Sequence, residues 1–432
     1  MKKSLLLICL LTLSLAMSAC GKKEDKEAAA ADAAVTAEAP EEKDQPAPAE
    51  AEAVEAPVEE AEPEAEEAEA EVADEETAEP EKAEPENAEP EKAEPAEEPE
   101  QKEAEAAEPA KEAEEKAEAP AEEAAAPEPE VRRTINIPQR GLTDPVADGY
   151  ALPAAEQGSL MEIEYRTHDY VNNNEKAVFI KPAYVYLPYG YDKNDPDTRY
   201  DIFYYLCGIE NVAEDLFLEN GGAAKNMFDN MIMNGDMKPM IIVSLTIDRD
   251  NSKTDFDSAV LQLMKFDQEF VNDIMPAVES ELKTYAKSTS KEDLIASRDH
   301  RGFGGFSLGS VTTWNQFCTN SDYISYFLPI CGPCWYVSGA YSEEYNETVN
   351  DTLWFMADLI RKNKLDERGY FIYSCIGEND LFKPQVDFLM EPMLEKSGFF
   401  PKEHVVYYMK EGGEHDFAAL VEYLYNALKL FF

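Results

Sequence analysis

The chain has 432 residues, 90 of them acidic and 38 basic, for a formal net charge of -52. Of these, 43 acids and 12 bases lie in the first 132 residues, which contain no Phe, Tyr or Trp. A segment so charged and so poor in aromatics buries too little apolar surface to offset its ordering entropy, so a core is expected only in residues 133–432. The charge disfavours nucleic-acid binding in both parts, and the Gly, Pro and aromatic content of the C-terminal part excludes a purely structural coiled coil there.

Met1-Lys2-Lys3 is a basic start, and Ser4 to Ala16 is an apolar run too short to span a bilayer. It ends in Met17-Ser18-Ala19-Cys20-Gly21. Small residues placed this way before a cysteine resemble the bacterial lipoprotein box, with Met17 where Leu is commoner. Residues 1–20 are therefore expected to be a lipoprotein signal peptide. Cys20 would carry the lipid and anchor the protein at the outer side of a bacterial membrane. No later segment is long and apolar enough to span a membrane.

Residues 21–132 are mostly Ala, Glu, Pro and Lys, with Ala-Glu-Pro-Glu-Lys recurring at Ala78–Lys82 and Ala88–Lys92. Regular proline blocks helix continuation and like charges extend the chain, so this tract reads as a disordered acidic linker. Roughly 110 residues would reach about 340 Å if fully polyproline-like. Such a spacer would let a tethered domain clear the cell surface.

Residues 133–160 read as a lead-in to the domain. Strands are expected at Ala177–Leu187, Asp201–Leu206, Met240–Leu245, Gly302–Phe306, Phe327–Ile330, Tyr370–Cys375 and Val405–Met409. Helical spacing runs over Ser258–Tyr285, divided or kinked at Pro276, and helices are expected at Val311–Cys318, Gln385–Lys396 and Phe417–Leu430. Strands alternating with helices imply an α/β fold, a mostly parallel sheet covered on both faces, with ligands at the carboxyl ends of the strands.

Three segments carry chemistry. Gly305-Phe306-Ser307-Leu308-Gly309 is a G-x-S-x-G pattern between a strand and a helix, the context of a nucleophile elbow. Ser307 would stand above the sheet, with the Leu308 N–H aimed at a developing oxyanion. A serine hydroxyl needs a base. Of the four histidines, His168 precedes the first clear strand, His300 lies at the opposite end of the elbow strand and His404 opens a strand. That leaves His415, in a loop after a late strand. Asp380, in Gly377-Glu378-Asn379-Asp380, is the first choice to orient it; Glu378 and Asp387 are alternatives, and Asp416 reads as a solvated neighbour. The second oxyanion donor is assigned to Gly208 or Ile209, in the loop after Asp201–Leu206.

At these residues the sequence resembles the esterase-D-like α/β-hydrolases, and within them the feruloyl and acetylxylan esterases of carbohydrate esterase family one. The likeness is carried by Ser297 to Trp314 (SRDHRGFGGFSLGSVTTW), by Tyr184-Val185-Tyr186-Leu187-Pro188-Tyr189-Gly190-Tyr191-Asp192 and by the C-terminal Gly412–Phe432, within a span of about 165–432. It departs at Cys207-Gly208-Ile209, where that family often has His-Gly-Gly, and at Cys331-Gly332-Pro333-Cys334-Trp335, where Ser-Gly-Asp-x-Trp is common. Phe417 stands where Trp often follows the catalytic histidine.

The resemblance implies an α/β-hydrolase domain over 133–432, with Ser307 as nucleophile, His415 as acid/base and Asp380 as orienting acid. Trp335 is assigned to substrate binding, by stacking on a sugar or aromatic acyl group, with core packing as the alternative. Trp314 is expected in the core, and His300 and Arg301 are expected to brace the elbow. The implied activity is a serine esterase acting on feruloyl or acetyl esters of plant cell-wall polysaccharide such as xylan. Rival readings are a peptide or thioester hydrolase or acyltransferase on the same fold, and a non-catalytic glycan-binding surface protein. No metal or cofactor is expected, because no step needs one. Five cysteines fall in the domain, at 207, 318, 331, 334 and 375. They are expected to be mostly reduced, with Cys331-x-x-Cys334 as a candidate pair.

Overall fold

The structure, a computed structural model, describes residues 137–209, 211–248, 255–337 and 345–432. The expected signal peptide, the Cys20 lipidation site, the 21–132 linker and residues 133–136 lie outside the described residues. Among the described residues, nine strands form one sheet in the order β1-β9-β8-β7-β6-β4-β5-β3-β2. They are β1 (Arg140–Leu142), β2 (Ser159–Asp169), β3 (Asn174–Leu187), β4 (Asp201–Leu206), β5 (Met240–Leu245), β6 (Arg301–Phe306), β7 (Tyr326–Ile330), β8 (Phe371–Gly377) and β9 (Val405–Lys410). Only β2–β3 and β3–β5 pair antiparallel; the remaining pairs are parallel. The sheet is thus the expected mostly parallel one.

The central strand β4 is buried throughout. Its side chains alternate between faces: Phe203 meets Phe431 edge-on at 5.8 Å, while Tyr204 meets Phe270 at 5.0 Å. Period-two alternation with both faces apolar is what a strand sandwiched between helical layers requires. From β4 the chain runs to β5 on one side, then crosses back to β6 on the other and continues outward through β7, β8 and β9. That reversal opens a crevice at the carboxyl ends of β4 and β6, where Cys207–Ile209 and Ser307 lie.

The helices are α1 (Asp215–Asn234), α2 (Phe256–Leu263), α3 (Phe266–Glu269), α4 (Met275–Glu281), α5 (Lys291–Ala296), α6 (Leu308–Asn320), α7 (Tyr345–Lys362), α8 (Leu365–Arg368), α9 (Lys383–Glu395) and α10 (Phe417–Leu428). None of them is long and apolar enough to cross a membrane.

Several expectations need correction. The helical spacing of Ser258–Tyr285 is divided among α2, α3, a π turn at Phe270–Ile274 and α4, and it ends at Glu281. The break between the π turn and α4 falls beside Pro276, as expected, where the missing N–H interrupts the run of helical bonds. The lead-in contains β1, whose pairing with Tyr407–Met409 of β9 brings together residues far apart in sequence. His168 lies within β2 rather than before the first strand. Helix α1 was not expected, because Glu219 to Gly222 leave helical geometry and interrupt its apolar spacing.

Arg301 opens β6 and is almost fully buried. Its guanidinium donates to both carboxylate oxygens of Glu279 (2.7 and 3.0 Å), to the carbonyls of Leu294 and Tyr323, and to Ser297 Oγ. Glu279 also accepts from Tyr204 Oη and Thr284 Oγ1. This network holds the amino end of β6 on α4. His300 lies beside it, bonded to Asp201 Oδ1 at 2.6 Å and stacked on Tyr285. Both residues brace the end of the strand opposite the site.

Candidate active site

Strand β6 ends at Phe306, and Ser307 turns the chain into α6 with φ 59° and ψ -115°. A side chain other than glycine at positive φ is sustained only where its surroundings over-determine it. Here the Ser307 N–H donates to Ile330 O at 3.0 Å, and its carbonyl accepts from Ser310 and Val311 in the first turn of α6. The turn also needs space on both sides. A Cβ on Gly309 would stand 2.1 Å from Leu206 O, and one on Gly305 would stand 2.6 Å from the same oxygen. Leu308 is the first residue of α6. Its N–H therefore has no acceptor within the helix and points out of its positive end.

Gly208 packs directly on the elbow: a Cβ there would lie 3.2 Å from Ser307 Cβ. The Cys207 N–H is tied to Leu245 O at 3.1 Å, and its thiol donates to Asn211 O at 3.3 Å, which pins the loop that carries Gly208 and Ile209. Burial pushes the Cys207 thiol up to about 12, so it is a neutral structural group.

His415 lies in the loop between β9 and α10. Its Nδ1 is 2.8 Å from Asp380 Oδ2. The other carboxylate oxygen accepts the Phe382 N–H, also at 2.8 Å. The Asp380 side chain is fully buried, whereas the His415 side chain keeps 15% exposure. The imidazole is gripped by two rings, Phe306 at 4.4 Å and Phe382 at 5.3 Å between centroids. Phe306 is the residue before Ser307, so this contact brings the base loop to the elbow.

The acid and base loops are laced together. Asn379 N–H donates to Gly413 O, Glu378 N–H donates to Lys410 O, and Gly412 N–H donates to Glu378 Oε2. A Cβ on Gly377 would stand 2.3 Å from Gly413 O, so only glycine lets the two backbones approach this closely. Glu378 is thus engaged with the loop. Asp387 binds Lys383 and Tyr407 Oη, and Asp416 caps α10 by accepting the Ala419 N–H. Asp380 is the carboxylate that meets the imidazole. The other histidines have partners elsewhere: His404 with Tyr370 O and His168 with Asp273.

Trp335 is corrected. It is 1% exposed and belongs to the core, so it offers no stacking face. The chain after β7 passes through Cys331, with φ 57°, before it reaches the indole. Trp314 is equally buried.

All five described cysteines are free and buried. The thiol neighbour of Cys334 is Cys318, not Cys331. The Cys331 sulfur, an Asp380 oxygen and a His415 ring nitrogen lie within 4.8 Å of one another. That trio has the donor types of a metal site, but its nitrogen and carboxylate are already bonded to each other. The proximity of Cys331 to Asp380, and the clasp of Phe306 and Phe382 on His415, were not foreseen. Their one sequence signal is position, each next to a strand end or to a site residue.

No family model matches the chain. It is 32% identical over 294 residues to the curated endo-1,4-beta-xylanase Y of Acetivibrio thermocellus, a match covering 67% of this chain and 24% of that protein. The chain therefore spans only about a quarter of that relative. Among solved structures, one described as FAE shares 31% identity, with a TM-score of 0.56 and coverage of 67% of this chain and 94% of that one. The feruloyl esterase module from Clostridium thermocellum, a serine-to-alanine variant complexed with sinapinate, shares 31% identity, with a TM-score of 0.55 and the same coverage.

Proposed function

We propose that the chain, which belongs to the feruloyl esterases, is a serine esterase releasing hydroxycinnamoyl groups from plant cell-wall polysaccharide. The observation that carries this reading is the Asp380–His415 pair, bonded at 2.8 Å and packed through Phe306 against the elbow that bears Ser307. The sinapinate in the related module supports an aromatic acyl group.

In this reading His415 Nδ1 carries a proton that it donates to the Asp380 carboxylate, which leaves Nε2 as the base. Ser307 Oγ attacks the ester carbonyl carbon and its proton passes to Nε2. The tetrahedral oxyanion is met by the Leu308 N–H and by an N–H of the Gly208–Ile209 loop. Collapse breaks the carbon–oxygen bond to the sugar, and His415 returns the proton to the leaving alkoxide. Water, deprotonated in turn by His415, then hydrolyses the acyl-Ser307 ester and restores the serine.

The net charge fits a neutral polymer better than an anionic one, and a carboxylate product would be repelled from the domain. We further propose that Cys20 is lipidated and that residues 21–132 hold the esterase away from a bacterial membrane. Ser307→Ala is expected to abolish release of ferulate from feruloylated arabinoxylan and to abolish fluorophosphonate labelling. Retained release would refute the reading, and faster release of acetate than ferulate would shift it to acetyl esters. Cys20→Ala is expected to free the protein into the medium; unchanged membrane retention would refute the anchor.

A further inference from the structure

We propose that Cys331 is a positioning residue of this site: its thiol donates to the buried Asp380 carboxylate and so sets how strongly that carboxylate holds the His415 imidazolium. The inference rests on the proposed roles of Asp380 and His415 and adds a further member behind them.

The Asp380 side chain has no exposure, so water cannot complete its hydrogen bonding. An ionised carboxylate offers about four acceptor positions. Two are used, by the Phe382 N–H and by His415 Nδ1. The Cys331 sulfur lies within 4.8 Å of both the carboxylate and the imidazole, close enough for its thiol to turn toward the unused acceptor positions. Cys331 is fully buried, and burial followed by the Asp380 charge keeps its thiol protonated far above the usual thiol range. A group that always carries its proton beside an anion acts as a donor.

The backbone holds it there. Cys331 has φ 57°, a left-handed conformation that side chains other than glycine rarely adopt, and its N–H is fixed to Cys375 O at 3.0 Å. It ends β7 next to the elbow that ends β6, so two adjacent strands each finish in a residue at positive φ whose side chain serves the site. The buried Tyr423 hydroxyl of α10 also stands near the thiol. The titratable groups facing Asp380 are therefore His415, the thiols of Cys331 and Cys375, and Tyr423. The Asp380 charge, after burial, helps keep the Cys375 thiol protonated. His415 faces Asp380 and Cys331 and the uncharged rings of Phe306 and Phe382.

A donor on the carboxylate draws off negative charge, which weakens its hold on the imidazolium. Removing the thiol should therefore favour protonated His415. The test is an NMR titration of the His415 ring in the folded protein, with the resonance assigned by its loss in His415→Asn. Cys331→Ala is expected to raise the His415 midpoint by about 0.5 unit, about threefold in the protonation equilibrium. Below that midpoint the smaller fraction of neutral base should also lower kcat on an aryl ester, by at most about threefold, with KM unchanged. Cys331→Ser keeps a donor and is expected to return the midpoint to or below the wild-type value and to restore kcat. An unchanged midpoint in Cys331→Ala, or an equal rise in both variants, would overturn the proposal, since a merely space-filling thiol moves neither or both. The titration needs no turnover, so failure here is distinct from failure of the esterase reading, which Ser307→Ala tests.

Discussion

Asp380→Asn isolates what the carboxylate does for His415, because the two oxygens of Asp380 have different partners. One accepts the Phe382 N–H and the other meets His415 Nδ1, each at 2.8 Å. A backbone N–H can only donate, so the asparagine oxygen must take the Phe382 side and its NH2 must face the imidazole. Nδ1 then becomes an acceptor and the ring proton moves to Nε2, which can no longer receive the proton of Ser307. Flipping the amide would restore the tautomer but would set two donors against each other in a buried site, at about 1–3 kcal/mol. Loss of the charged partner for the imidazolium removes about 1.5–3 kcal/mol more. Together these raise the barrier by about 2.5–6 kcal/mol, a fall in kcat/KM of about 10^2- to 10^4-fold. Initial rates on a soluble feruloyl ester, with urea unfolding as the control for folding, measure this. A loss under tenfold in a protein that unfolds like the wild type would refute the assigned roles of both residues.

Arg301→Met strands the Glu279 carboxylate in the interior with only Tyr204 and Thr284 as partners, and should cost about 3–5 kcal/mol in urea unfolding. Replacing Glu279 with Leu in the same protein should recover part of that loss; no recovery would contradict the buried-charge explanation. Gly309→Ala places a Cβ 2.1 Å from Leu206 O, a backbone atom that cannot move aside alone, so the elbow should distort and esterase activity fall at least about tenfold. Full activity would show that the turn has more room than the geometry allows. The folded Cys207 thiol is raised from 9.0 to about 12 by burial, and those of Cys318, Cys331 and Cys375 are raised further in the same direction. Raised folded values mean that the unfolded chain ionises first, so stability is complete below about pH 9 and is lost as pH climbs through about 12. Denaturation midpoints measured from pH 8 to 12 should fall over that window, and native thiols should resist alkylation at pH 8; a flat profile or rapid labelling would contradict this.

Much of the fold was legible because its strands are short apolar runs bounded by turn residues, as in DIFYYL and MIIVSL, whose bounds the structure repeats at β4 and β5. The elbow was legible too, since its chemistry needs small residues at fixed offsets from Ser307. Less visible were elements whose existence depends on distant partners. β1 is three residues held by β9, and α1 is interrupted at Asn220 to Gly222, where periodicity gives no guide.

Sequence by itself pointed to the candidate nucleophile and base, because Ser307 sits in a G-x-S-x-G turn and His415 is one of only four histidines, and it ranked Asp380 first among several acids. It also confined the aromatics, and hence a core, to the last 300 of the 432 residues. Tertiary structure alone decided which carboxylate meets His415, since Glu378, Asp387 and Asp416 differ from Asp380 only in where their loops and helices point them. It placed Trp335 in the core instead of the cleft, four residues after the left-handed Cys331. It also set Cys331 against Asp380. Residue type and spacing record what chemistry a side chain can do; the packing of β6, β7 and β8 side by side decides which of those side chains come within a hydrogen bond of one another.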